Sequence, residues 1–288
     1  MDITLPVPAD AWAEVDGRRR WLWLTVPIAA LVALVSVVGL TVPGFYKGAP
    51  AWAVQAVAQD FADLVVVLPV LVASALLAAR GSGRAWLIWL GTVSYLLYNF
   101  AIYAFAVPHN RLFLAYVTVL GCCLWALIGG LAATSWEAIR TRFRDDTPVK
   151  PVSLYLALLA TLFYALWLLE EVPAALTGTA PVSLQDNGLL TNPVHVLDLA
   201  VMLPAMAVIA ALLWRRAALG YGLAGVMLMN VLFQNIGIAT VMVFSIRSRL
   251  PGSLALVGLF AALALITFAL VAHHLAALEA PSVDAISR

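Results

Sequence analysis

Asp60 and Asp63, and 135 residues later His195 and Asp198, are the side chains of this sequence best suited to chemistry. Each pair is spaced i,i+3, which puts both members on one face of a helix. Carboxylates held in apolar surroundings bind cations or relay protons, and two brought close compete for one proton because each disfavours the other's charge. The same four residues, with a single imidazole among oxygens, also make a set for a divalent metal such as Mg, Mn or iron. A metal there would activate water against a lipid-borne substrate. Other polar groups that join them as candidate ligand- or ion-binding residues are Asn99, Gln234, Glu170, Glu171, Tyr98, Tyr103 and Asn235.

These residues recur in matching frames. Asp63-Leu64-Val65-Val66-Val67-Leu68-Pro69 returns as Asp198-Leu199-Ala200-Val201-Met202-Leu203-Pro204. Ungapped extension at the same offset pairs Ala75 with Ala210, Arg80 with Arg215 and Asn99 with Gln234, and sets Asp60 opposite His195. An ionisable group is costly inside an apolar helix, so the same Asp at the same depth twice predicts one built environment. Pro69 and Pro204, six residues on, each remove a backbone donor and are the expected hinges.

Such positions need helices that cross a bilayer. The chain is 64% hydrophobic and 11% charged with a mean hydropathy of +1.00, whereas soluble domains carry about 25% charged residues. Apolar runs of about 20 residues are transmembrane helices, because lipid cannot satisfy exposed backbone groups. Hydropathy predicts an all-α polytopic membrane protein with eight spans, near 21–42, 52–79, 85–107, 111–134, 152–172, 193–214, 218–245 and 253–277. Arg18-Arg19-Arg20 before an apolar run also begins a signal peptide, but the run is longer than an ordinary h-region and no clear cleavage site follows, so it reads as a span.

The duplication predicts two parallel four-helix repeats, 21–134 and 152–277, joined by a cytoplasmic linker at 135–151 and flanked by cytoplasmic segments at 1–20 and 278–288. An even number of spans per half gives the halves the same topology, with a pseudo-twofold axis along the membrane normal. If the N-terminus is inside, twelve of the sixteen Lys and Arg fall in cytoplasmic segments and four outside. The positive-inside rule then puts both termini in the cytoplasm, and a prokaryotic cytoplasmic membrane is the expected location.

Helix rise turns spacing into depth. Arg80 to Asp60 and Arg215 to His195 are each 20 residues, about 30 Å of helix and one hydrocarbon thickness. The acids therefore lie toward the outer boundary, Asp63 and Asp198 about one turn deeper, and the polar residues form an outward vestibule. The loop 173–192, richer in Gly, Pro, Thr and Asn, is expected to cover part of that surface and to end on a strong helix start at Asn192-Pro193.

Three functions fit: binding and movement of a small solute, cation or protons; a metal-dependent enzyme at the outer surface; or a ligand sensor or assembly subunit. A net charge of +1 with no basic stripe excludes nucleic acid as an expected partner. No Lys lies within a span to carry retinal, and paired histidines deep in facing helices, the ligand pattern of membrane b-type haem, are missing. Adjacent Cys122 and Cys123 read as small packing residues.

Overall fold

The computed structural model describes residues 13–279. Arg18 has no described side chain and Arg288 lies outside this range, so the charge count above rests partly on residues not described. Among the described residues eight helices are long and apolar enough to cross a membrane. They are α1 (Arg19–Thr41), α2 (Pro50–Ala79), α3 (Gly83–Ala106), α4 (Phe113–Ala132), α5 (Val149–Thr177), α6 (Pro193–Trp214), α7 (Ala218–Arg247) and α8 (Leu254–Ala276). No strand occurs among them, only an isolated bridge between Phe143 and Leu278. Large apolar side chains such as Leu154, Leu158, Leu265 and Phe268 are exposed on the outer helices, as a bilayer requires.

Helix starts follow local chemistry. Asn192 accepts backbone N–H bonds from Val194 at 3.0 Å and His195 at 3.3 Å, with Pro193 in the first turn. Ser82 and Ser253 cap α3 and α8 in the same way. The fifth span differs from its expected end at 172: α5 continues through Pro173 and stops at Gly178, which adopts the left-handed conformation at φ 69°. Proline removes one hydrogen bond, and the turn beyond it tolerates that so near the helix end. The loop after it holds a short helix, Val182–Asn187, docked on α2 through a Gln55–Asn187 bond of 2.8 Å.

The core is built on α3 against α7. A Cβ on Gly91 would fall 2.4 Å from Met229 Cβ and 2.7 Å from the Val226 carbonyl, so this crossing needs a glycine. Around that axis α2 packs on α3 and α7, while α6 packs on α7 and touches α3 near its start; α1 and α5 lie outside α2 and α6. α4 backs α3, and α8 backs α7. Trp86 and Trp89, candidates for an interfacial belt, are instead buried, stacked at 5.0 Å, and bonded to Thr134 and Thr25.

At the end where most arginines gather, the chain closes on its last helix. Arg84 donates to the carbonyls of Leu278 at 2.7 Å and Ala276 at 3.1 Å, and Arg142 donates to the Glu279 carbonyl at 2.7 Å. These guanidinium groups satisfy carbonyls that a helix C-terminus leaves unpaired. Arg84→Ala is expected to fray this end at a cost of about 1 kcal/mol. Hydrogen exchange should rise at residues 276–279 and remain unchanged in α3; protection unaltered at both would contradict the tie.

Candidate functional site

Both acidic helices carry the same backbone irregularity. In α2 a π-helical turn spans Asp63–Val67, and in α6 another spans Asp198–Met202, again 135 residues apart. The wide turns close with Leu68 N–H on the Asp63 carbonyl and Leu203 N–H on the Asp198 carbonyl, and α-helix resumes with Pro69 and Pro204 in its first turn. The prolines thus mark a widened turn just before them, a feature frequent at functional sites. One carbonyl near this break, that of Leu199, accepts from Tyr164 at 3.4 Å.

Asp60 and Asp63 are closed in by donors. Asp60 is fully buried and accepts from Tyr46 at 2.7 Å and Tyr103 at 2.9 Å. Tyr46 comes from the turn between α1 and α2; burial and the neighbouring Asp60 charge push its phenol well above the ordinary value, which keeps it a donor. Asp63 is 1% exposed and accepts from Asn99 at 2.6 Å, and from Tyr95 and Gln59 at 3.3 Å each. Gln59 also donates to Tyr95. Gly39 of α1 lies directly over Asp60, where any Cβ would collide with the carboxyl.

The second acidic helix is arranged differently. Asp198 is partly exposed and accepts from Trp167 Nε1 at 2.8 Å, with Tyr98 as a further hydroxyl partner. His195 Nδ1 sits 2.6 Å from Glu171, its Nε2 lies 3.9 Å from Glu170, and its ring lies 4.3 Å from that of Trp167. Ser183 of the short outer helix donates to Glu170. One position is therefore filled in opposite senses: Asp60 is an acid held by phenols, and His195 a base held by acids.

Between α2, α3, α5, α6, α7 and α8 lies a cavity of about 400 Å³, in the range of small-ligand sites. Asp198 is the charged side chain in its lining; Asp60 and Asp63 are not part of it. Carboxamides come from both central helices: Asn99 from α3, and Asn230, Gln234 and Asn235 from α7. Trp52, Tyr95, Tyr98, Tyr103 and Trp167 add aromatic surface. Asn235 is engaged with Thr267 at 3.2 Å. Two buried polar atoms of the lining have no partner among the described residues, Asn230 Oδ1 and Trp52 Nε1.

The expected site is thus partly assembled. Asn99, Tyr98, Tyr103, Gln234, Asn235 and Asp198 share the cavity, whereas His195, Glu170 and Glu171 form a neighbouring cluster at its edge. Asp63 and Asp198 bond to different partners and do not form a carboxyl pair. The metal set of Asp60, Asp63, His195 and Asp198 is divided between two networks, and no three His, Cys, Asp or Glu side chains among the described residues are grouped to hold a metal. The reason is physical: the oxygens of Asp60 and Asp63 are turned to tyrosines and amides on α3. Sequence reasoning missed Tyr46, Gln59, Tyr95, Trp52, Trp167 and Asn230. Of these, Gln59 and Asn230 stood out as amides within apolar runs.

Comparisons with protein-family models, with curated proteins and with solved structures found no match for this chain. Function therefore has to be argued from the cavity.

Proposed function

We propose that this chain binds a small solute or organic cation in an outward-facing cavity between two parallel four-helix halves, and moves it across a cell membrane. The observation that carries the reading is a cavity walled by six helices with one carboxylate, Asp198, among amides and aromatic rings. A polar chamber inside a membrane protein is expensive and marks a solute or ion path. The equal offset of the two Asp-to-Pro segments and of their widened turns supports the repeat, with halves 21–134 and 152–277. Those turns, each beside a proline, are where α2 and α6 would bend. The bias of Lys and Arg supports cytoplasmic termini and an outward cavity. A metal-dependent enzyme at the outer surface is less favoured, because the proposed ligands are split between networks.

Purified protein in proteoliposomes, offered a panel of radiolabelled amines, sugars and carboxylates, tests this. Saturable uptake of one class is expected, reduced at least tenfold by Asp198→Asn. Uptake no greater than in empty liposomes across the panel, or uptake indifferent to Asp198→Asn, would contradict it.

A further inference from the structure

Positions 135 residues apart reveal what the cavity lacks around Asp198. Asp63 is saturated by Asn99, Tyr95 and Gln59, which lie 36 and 32 residues after it and 4 before it. The same offsets from Asp198 lead to Gln234, Asn230 and Val194, all in the cavity lining. None of them donates to Asp198. Val194 has no donor in its side chain, and Asn230 spends its amide N–H₂ on Ser94 at 3.0 Å.

Asn230 is fully buried, and its side-chain oxygen has no partner. A buried acceptor left unpaired costs about 1–3 kcal/mol. Gln234, one helical turn further on the same face of α7, also borders the cavity. This wall therefore offers acceptors only: a carboxylate, the Asn230 carbonyl oxygen and the amide oxygen of Gln234. A group with several N–H donors and a positive charge would satisfy all three. The rest of the lining, with Trp52, Tyr98, Trp167, Met206 and Phe260, suits an apolar body and also attracts cations to its ring faces.

We propose that the ligand is a protonated primary or secondary amine with an apolar body, its ammonium seated between Asp198, Asn230 and Gln234. The assignment rests on the cavity reading above and specifies its substrate class. Quaternary ammonium ions carry no N–H to fill the Asn230 acceptor, and a bare metal ion would leave the aromatic walls unused.

The test is calorimetric titration of the purified full chain in lipid nanodiscs with phenethylamine, its N,N,N-trimethyl analogue and 2-phenylethanol. Phenethylamine is expected to bind at least tenfold more tightly than either of the others. Asp198→Asn should abolish that preference, and Gln234→Leu should narrow it against the trimethyl analogue while leaving 2-phenylethanol unchanged. Equal binding of all three, unaltered by Asp198→Asn, would overturn the amine assignment while leaving a cavity that binds solutes. Tighter binding of the trimethyl analogue would overturn the hydrogen-bonded ammonium. Absence of binding by every probe would overturn the proposal too, and the uptake panel then decides separately whether the cavity serves another solute.

Discussion

Replacing Gly39 by alanine is expected to lower stability by about 3 kcal/mol, the largest loss from adding a single methyl group near the acidic helices. A Cβ built on Gly39 falls 1.8 Å from Asp60 Oδ2 and 2.8 Å from a ring carbon of Tyr46. Neither neighbour has room to yield. Asp60 is pinned by Tyr46 on one oxygen and Tyr103 on the other, and Tyr103 itself packs against Tyr116 at 5.3 Å. The methyl would force α1 away from α2 or tear the carboxyl from its phenols, leaving buried polar groups unpaired. Thermal unfolding in detergent should show an apparent Tm lower by on the order of 6–10 °C. Gly121→Ala serves as the control, since no atom lies within 4 Å of its added Cβ, and should leave Tm unchanged or slightly raised. On an Asp60→Ala background the Gly39→Ala penalty should shrink, because the colliding oxygen is gone; strictly additive losses would contradict the contact.

Much of this architecture was legible from sequence because lipid imposes simple rules. Eight apolar runs became eight helices, and the Asn192-Pro193 start and the Pro69 and Pro204 irregularities fell where local chemistry put them. What periodicity could not carry was which face of each helix meets which neighbour. Asp60 and Asp63 looked like partners for His195 and Asp198, yet their oxygens are taken by Tyr46, Tyr103, Tyr95 and Asn99. Those contacts depend on how α2 rotates against α3, and that rotation is set by packing at glycines such as Gly39 and Gly91. Trp167 escaped notice for a related reason. An indole in an apolar helix reads as bulk, and only its distance to Asp198 reveals the donor.

The second large expected effect is a division of labour between two acids that occupy equivalent places in sequence. Asp63→Asn should cost about 2–3 kcal/mol, because one of the oxygens facing Asn99, Tyr95 and Gln59 becomes a donor set against donors in a fully buried site. Asp198→Asn should cost under about 1 kcal/mol. Its amide oxygen can keep the Trp167 bond, and the other side of the group faces the cavity, where water can satisfy the new N–H₂. Ligand binding should respond in reverse order, with Asp198→Asn losing at least tenfold in affinity for phenethylamine.

The most direct measurement pairs the two readouts on the two isosteric variants: apparent Tm and phenethylamine affinity for Asp63→Asn and Asp198→Asn in the same nanodiscs. The account predicts a crossed pattern, in which Asp63→Asn is destabilised yet binds phenethylamine once folded, and Asp198→Asn is nearly as stable as the parent yet binds poorly. Parallel behaviour in both readouts would contradict it, as would an Asp198→Asn protein that binds the amine as the parent does.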